Sequence, residues 1–438
     1  MNMLISEIKK NLSIIKNSFW LISEKIISIF GLIFITSYVA VYIGPDNFGK
    51  LSFAISIFVI IQTLSMLGTD TVLFKRISKN RVSGIKLMLS TTTIRWLIYI
   101  IISIMYIIYC IANSDDKVTI IFTISVALSY LFLTVDHYAI YFNAILKSKI
   151  NVIFNTIGLS FSLGLRYIIV IFELDISYLA IPIITTTFLP YFFRFIYFHI
   201  KKDVLVIKTN KKNYVSYLVK SGSPIAISNV SISIYSKISQ LCLAILVSNY
   251  ALGIFTVAFT LAYAWLFIPQ SIITSFFSRI YKLKNKQDII KETAILSTLI
   301  LVISFIYLLF IYFLGDKLLF YLYGAEYTDS LPLLFYLSIS SVLSSFGTIA
   351  YRYIVAFSGY SFLSKKMLFT SITGVILTYY LISNYKISGA VASILTIEIL
   401  SLTLLNYFFN KGIVFKMHIE TITNILKFYS WSKYARKN

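Results

Sequence analysis

The feature that most constrains this chain is a regular alternation of long apolar stretches with short polar loops. Hydrophobic residues make up 58% of the 438 positions and charged residues only 13%, a composition that excludes a soluble multi-domain protein. About twelve stretches reach the length that a helix needs to cross a bilayer. They lie at 19–43, 49–68, 88–112, 118–141, 152–172, 176–200, 221–246, 250–274, 293–314, 331–356, 364–383 and 387–409. The sequence therefore predicts an all-α integral membrane protein with about 12 transmembrane helices.

The loop charges orient these spans. Basic segments such as 75–86, 201–220 and 282–291 alternate with acidic loops such as 115–116 and 173–175. Because Lys and Arg concentrate in cytoplasmic loops, the basic side is predicted to face the cytoplasm, together with both termini. The net charge of +22 is thus explained by membrane topology, and no nucleic-acid partner is expected.

Two short sequence similarities indicate an internal repeat, and one of them pairs residues 175–177, before span six, with residues 386–388, before span twelve. Residues 48–54, at the start of span two, resemble residues 252–258, at the start of span eight. The spacing predicts two six-helix lobes related by pseudo-twofold symmetry, as in transporters built from parallel repeats. The predicted parts are an N-terminal lobe (1–200), a basic cytoplasmic linker (201–220), a C-terminal lobe (221–410) and a basic cytoplasmic tail (411–438).

Polar side chains at helical spacing mark candidate binding faces inside the spans. A Lys or Arg near mid-bilayer costs roughly 2.5–3.5 kcal/mol, so such faces are expected to line a wet or anion-occupied chamber between the lobes. For the lysine of span one, reaching back to the inner surface is an equal alternative. The candidate binding residues are Lys237, Arg352, Arg166, Asn229, Ser233, Gln240, Thr348 and Lys25.

Acidic groups inside the spans are fewer. Glu398 lies near the middle of span twelve, whereas Glu24 and Asp136 lie toward inner helix ends. Structural pairing with a nearby cation is the favoured interpretation, and coupling to protons or sodium is the alternative. The three histidines and two cysteines are scattered, so neither a metal site nor another bound cofactor is expected.

Four short motifs carry a resemblance that covers essentially the whole chain. They are Asn17–Trp20, Gly44–Gly49, Tyr323–Tyr327 and Gly389–Ser393. In combination they resemble the polysaccharide-transporter branch of the multidrug/oligosaccharidyl-lipid/polysaccharide (MOP) exporter superfamily, specifically the O-antigen and capsule repeat-unit flippases. The related lipid II flippases usually have two further helices, which are not expected among the predicted spans of this sequence.

The resemblance implies a MATE-like fold, a bacterial inner-membrane location and alternating access around a cationic central cavity. The substrate implied is an undecaprenyl-pyrophosphate-linked oligosaccharide, moved from the cytoplasmic to the outer leaflet. Membrane lipids, and as further candidates the polysaccharide polymerase and chain-length machinery, are the other partners implied.

Two alternatives remain open at the level of sequence. A drug or cation exporter of the same superfamily should expose acidic groups in its cavity, whereas the deepest charges here are mainly basic. A membrane polysaccharide polymerase or glycosyltransferase should carry a large catalytic loop, but the longest outward loop is the short stretch 316–329. A transporter without enzymatic activity is therefore expected.

Overall fold

A computed structural model describes the backbone of residues 2–200, 211–281 and 283–423. The side chains that precede Gly31 lie outside this description, as do those of a few later positions. Within the described ranges the chain forms only helices and the turns that join them, which confirms the predicted all-α membrane class.

The helices follow one another with few intervening residues. The first seven are α1 (Asn2–Met66), α2 (Thr69–Lys79), α3 (Arg81–Asn113), α4 (Lys117–Val135), α5 (Tyr138–Ala144), α6 (Ser148–Ile171) and α7 (Ala180–Ile200). The next seven are α8 (Lys211–Leu246), α9 (Asn249–Ala264), α10 (Phe267–Ile280), α11 (Lys286–Tyr323), α12 (Leu331–Ala356), α13 (Tyr360–Leu402) and α14 (Leu404–Tyr407). A last helix, α15, covers 413–423, and 3₁₀ turns lie at Ile176–Leu179, Ala325–Ser330 and Phe409–Gly412.

The long helices coincide with the predicted spans. Span ten, predicted at 331–356, has the bounds of α12, whereas α3 and α11 begin about two turns, and α8 nearly three turns, before the predicted spans. Residues 211–220 of the predicted linker are thus the first turns of α8. Nine described helices are long and apolar enough to cross a membrane, or ten segments if the bent pair α9 and α10 forms one span.

Two breaks fall where the sequence predicts loops between spans. Gly44 has φ 73° and ψ 167° and precedes Pro45, so α1 changes direction between predicted spans one and two. Lys386, with φ 51° and ψ −127°, interrupts α13 between predicted spans eleven and twelve. The chain is therefore a multi-pass membrane protein, and the count of twelve spans stays a prediction.

The chain divides into two compact units, Met1–Lys237 (unit 1) and Ile238–Asn438 (unit 2). In unit 1, α6 packs on α1 and α7, and α4 packs on the same two helices. A second cluster of buried apolar side chains joins α2, α3, α5 and the ends of α7 and α8.

Unit 2 is built around α12. This helix packs against α9, α11 and α13, and its buried face carries Ile349, Tyr353 and Ile354. Trp265 lies flat against Tyr307, with ring centroids 4.3 Å apart. Its indole Nε1 donates to the Ser341 hydroxyl at 2.8 Å, so α12 is also held by a buried polar contact.

Candidate functional site

The turn between α1 and α2 is the backbone feature on which the site is built. Leu67 and Gly68 have φ of 50° and 69°, a region that glycine enters without strain and leucine rarely adopts. The turn ends α1 at Met66 and starts α2 at Thr69, whose hydroxyl donates to the Met66 carbonyl. Polar side chains at the end of one helix and the start of the next are thereby brought side by side.

Helix α8 lies directly against this turn. A Cβ atom on Gly222 would lie 2.3 Å from the carbonyl oxygen of Leu67, and one on Gly68 would lie 2.6 Å from the carbonyl of Gly222. The two backbones therefore touch with no side chain between them. About one turn before the end of α1, the hydroxyl of Thr63 lies 3.0 Å from that of Ser233 in α8, and the two form a hydrogen bond.

A cavity of about 240 Å³ lies between α1, α2 and α8, entirely within unit 1. Its walls present two amides, two hydroxyls, one carboxylate and two apolar side chains. The lining residues are Gln62, Thr63, Met66, Asp70, Asn229, Ile232 and Ser233. Asn229 and Ser233 are two of the residues that the sequence predicts for binding, and the structure places both in this wall.

A fully buried arginine lies behind the cavity. Arg95 is 0% exposed, and its Nη2 donates to Nδ1 of His137 at 2.9 Å. Its Nη1 contacts the sulfur of Met66 at 3.8 Å, and its Nε donates to the carbonyl of Thr91 at 3.4 Å. Asp70 is open to the cavity, yet the surrounding protein raises the pKa of its carboxyl, and the positive charge of Arg95 partly offsets that rise.

The hydrogen bonds assign the protonation state of His137. Since a guanidinium has only donors, Nδ1 of His137 must accept from Arg95, and the ring proton lies on Nε2. Nε2 then donates to the Thr92 hydroxyl at 3.0 Å, and Thr92 donates to the Met88 carbonyl at 2.8 Å. His137 is therefore a neutral imidazole with both nitrogens satisfied.

A second buried cluster in unit 1 pairs Asp136 with Arg194. Arg194 Nε donates to Oδ2 of Asp136 at 2.9 Å, Nη2 donates to the same oxygen, and both side chains are 5% exposed. Arg194 Nη1 also donates to Oδ1 of Asn155 at 2.6 Å. Asp136, a sequence candidate for ion coupling, is thus a paired carboxylate, and a coupling role for it stays a prediction.

Arg166 lies toward one end of α6. It is five residues from the last residue, Ile171, and so about 7 Å from the predicted outer end of the helix. The side chain is half-buried and forms no hydrogen bond with the described residues. The structure does not bring it to the unit 1 cavity.

Lys237 and Gln240 lie farther along α8. Lys237 is half-buried, nine residues before the helix ends at Leu246, which places it about 14 Å inside that end. It follows Ser233 by four residues, so the two side chains share one helix face. Gln240, one turn beyond, is buried.

In unit 2, Glu398 is directed toward α12. A Cβ atom on Gly347 would lie 3.9 Å from Oε2 of Glu398. Glu398 is also close enough to Lys366 for electrostatic attraction, while Lys366 Nζ donates to Oδ1 of Asn406 at 2.7 Å. The carboxylate named for ion coupling therefore shares its surroundings with a lysine that the sequence had not singled out.

Arg352 and Thr348 occupy the last turns of α12. Arg352 lies four residues before the end of the helix, and its Nη2 donates to the Thr274 hydroxyl of α10 at 3.1 Å. The Thr348 hydroxyl donates to the Ser344 carbonyl within its own helix at 3.1 Å. The side chains of Lys25 and Glu24 lie outside the described residues.

Three cavity features escaped sequence reasoning: Gln62, Thr63 and the Asp70–Arg95 pair. The turn at 67–68 interrupts the helical spacing, so the residues on its two sides share no periodic face. Arg95 was detectable, because an arginine inside the apolar run 88–112 breaks the rule for lipid-facing residues. Among the described residues, no cluster of three or more His, Cys, Asp or Glu side chains could hold a metal ion.

A family model described as "Polysaccharide biosynthesis protein" matches residues 14–281, more than half of the 438 residues. The chain belongs to this family of polysaccharide biosynthesis proteins. No curated protein sequence matches the chain significantly.

Solved structures show the same fold at low sequence identity. A structure described as the lipid II flippase MurJ in an inward closed conformation has a TM-score of 0.67 at 12% identity, over 95% of this chain and 92% of that one. An inward-facing multidrug resistance MATE transporter of the MOP superfamily gives 0.64 at 13%, over 90% and 96%. A MOP superfamily transporter from Pyrococcus furiosus gives 0.61 at 13%, over 89% and 94%. The predicted MATE-like fold is confirmed.

Proposed function

We propose that this protein is a flippase that moves undecaprenyl-pyrophosphate-linked oligosaccharide repeat units from the cytoplasmic to the outer leaflet of a bacterial inner membrane. Both termini lie in the cytoplasm, as the loop charges predict. The protein is a transporter, needs no resident cofactor, and meets the polysaccharide polymerase and chain-length machinery through its product. Membership of the polysaccharide biosynthesis family and the fold shared with a lipid II flippase support this proposal.

The observation that carries the proposal is the placement of Lys237. It lies about 14 Å inside the end of α8, on the face that carries Asn229 and Ser233 into the cavity of unit 1. A Lys this far inside a span is unusual, because it would cost roughly 2.5–3.5 kcal/mol in lipid, and intramembrane ionisable residues of this kind mark substrate pathways. A cation beside a polar cavity suits a substrate in which an anionic group is bonded directly to a polar, uncharged group.

A lipid-linked diphosphate has this combination of properties. Lys237 supplies charge-assisted hydrogen bonds that replace part of the hydration of the phosphates, and binding roles for Arg166 and Arg352 stay predictions. Outward movement of the anion also follows an inside-negative potential, at about 2.3 kcal/mol per charge per 100 mV. Glu398, close to Lys366, is the group on which coupling to protons or sodium would act.

Transport of the lipid-linked substrate tests the proposal directly. Lys237→Ala and Arg352→Ala should abolish surface polysaccharide in the native host while membrane abundance stays near wild type. Arg352→Lys should retain part of the activity, because it keeps the charge and loses only the planar guanidinium. The matched control is Lys79→Ala, since Lys79 is an exposed lysine of α2.

Wild-type transport by both alanine variants would contradict the cationic mechanism. The fold similarity to multidrug MATE transporters makes drug or cation export the second candidate, in which Glu398 would face the ligand. Ethidium efflux from cells that express the protein distinguishes the two functions. Efflux that is lost in Glu398→Gln and retained in Lys237→Ala would favour the exporter.

A further inference from the structure

We propose that the cavity between α1, α2 and α8 is a subsite for a single sugar ring, the ring bonded directly to the lipid diphosphate. This proposal rests on the proposed function and adds where the sugar is recognised. The cavity of about 240 Å³ is smaller than the roughly 300–1,000 Å³ of pockets that enclose drug-sized ligands. It has room for one ring, and the rest of the oligosaccharide would lie outside it.

The lining chemistry matches a polyol. The amides of Gln62 and Asn229 both donate and accept hydrogen bonds. The Thr63 hydroxyl donates to the Val59 carbonyl and accepts from Ser233, so these two hydroxyls, like the carboxylate of Asp70, offer acceptor oxygens to a ligand. Sugar hydroxyls likewise donate and accept, so each wall group finds a partner on the ring. The two apolar wall residues offer contacts for the C–H faces of the sugar.

The charge balance favours an uncharged ligand. Among the described lining residues Asp70 is the one carboxyl group, and it is electrostatically attracted to the positive charge of Arg95 behind it. Three of the five N–H groups of Arg95 are directed to Thr91, His137 and Met66. The carboxylate would repel a diphosphate, while the balancing arginine weakens the attraction for a cation.

The position of Lys237 gives the subsite its orientation. Asn229, Ser233 and Lys237 are spaced by four residues, so each lies about one helical turn, or roughly 6 Å, beyond the last on the same face of α8. A sugar held at Asn229 and Ser233 therefore places its anomeric phosphate near Lys237. The lysine would bind the diphosphate and the cavity would bind the first ring.

The test compares lipids with and without a sugar on the purified protein in detergent. The probes are undecaprenyl diphosphate alone and the same lipid bearing one N-acetylglucosamine, glucose or galactose. Wild-type protein should bind at least one of the three glycolipids about tenfold tighter than the bare lipid, because two or three hydrogen bonds contribute to the difference.

Variants then locate the preference. Asn229→Ala and Asp70→Asn should each reduce it about fivefold and leave the affinity for the bare lipid unchanged. Thermal melting will show whether each variant is folded. If Asn229→Ala or Asp70→Asn is not, the smaller change Ser233→Ala should also reduce the preference for the glycolipid. Asn113→Ala is the control, since Asn113 is exposed and its amide donates only to the Tyr109 carbonyl of its own helix.

The outcomes separate this inference from the proposed function. If Lys237→Ala weakens binding of every lipid but no glycolipid is preferred, or the cavity variants weaken all lipids equally, the subsite is wrong and the flippase proposal stands. If Asp70→Asn alters only the sodium dependence of binding, the cavity is a cation site and the subsite is again wrong. If wild-type protein binds none of the lipids, both proposals fail.

Discussion

Removal of the Asp136 carboxylate should destabilise unit 1 strongly. Asp136 accepts two hydrogen bonds from the guanidinium of Arg194, and both side chains are 5% exposed, so solvent screens the pair little. Asp136→Ala leaves a buried cation whose remaining described partner is the amide of Asn155. Breaking one side of a buried ion pair costs about 3–5 kcal/mol.

The size of the effect follows from the size of the unit. Unit 1 spans 237 residues, and 1 kcal/mol shifts the Tm of a domain of 150–250 residues by about 2–4 °C. Asp136→Ala should therefore lower the Tm by roughly 10 °C. Asp136→Asn keeps an oxygen that accepts from Arg194 and should lose about half as much. Replacement of both residues by leucine should recover most of the stability, because no charge is left unpaired.

Two native cysteines provide the assay. Cys110 in unit 1 and Cys242 in unit 2 are both free and buried, so a thiol-reactive fluorescent dye labels each only when its surroundings unfold. Melting in detergent in a Cys242→Ser background reports unit 1, and melting in a Cys110→Ser background reports unit 2. The loss should be largest in the unit 1 record.

Two results would refute this reasoning. In the first, Asp136→Ala melts within about 2 °C of wild type in the Cys242→Ser background. In the second, the double leucine variant is as unstable as the single alanine variant, which would mean that packing, and not charge pairing, is the function of Asp136.

Three further predictions use the same melting assay. Gly222→Ala should lower the Tm by several degrees, because the added Cβ would lie 2.3 Å from a backbone carbonyl. The control Gly164→Ala should leave the Tm unchanged, because no heavy atom lies within 4 Å of its added Cβ, and equal losses in the two variants would contradict the close backbone contact at Gly222. Trp265→Phe should cost unit 2 about 1 kcal/mol through its lost bond to Ser341, and an unchanged Tm would argue against that bond. Partial burial opposes ionisation of Asp116, but hydrogen bonds from neighbouring side chains outweigh it and lower the pKa to about 2. Its stabilisation is therefore complete above about pH 4 and lost as the pH falls through 2, so the Tm difference from Asp116→Asn should stay constant from pH 8 to 5 and shrink below pH 4.

Sequence alone predicted the positions of most long helices, although predicted spans four and eight each contain a break. The predicted span 331–356 has the bounds of α12, and the breaks at Gly44 and Lys386 fall in predicted loops. These features are local, because the free energy of placing a segment in lipid is a sum over its own residues. The early start of α8 and α11 escaped this reasoning, because a helix can continue past the membrane into polar residues.

The candidate site was predictable only in part. Asn229 and Ser233 follow helical spacing within one span, so the sequence places them on a common polar face. The wall opposite them comes from Thr63 and Asp70, which lie about 160 residues earlier in the chain and on two sides of a left-handed turn. No periodicity within one helix can show that this face meets that turn.

For the buried charges, too, the sequence shows one part of the arrangement and only the tertiary structure shows the other. That Asp136 and Arg95 lie inside apolar runs is visible in the sequence, and each requires a partner because an isolated charge is costly there. The sequence does not show which partner each charge has. Asp136 pairs with Arg194, 58 residues away, and Arg95 bonds to His137, 42 residues away, and these partners were decided by the packing of α3, α5 and α7. Transfer into lipid depends on the composition of each segment, whereas pairing and cavity formation depend on which helix faces touch, and only the tertiary structure determines that.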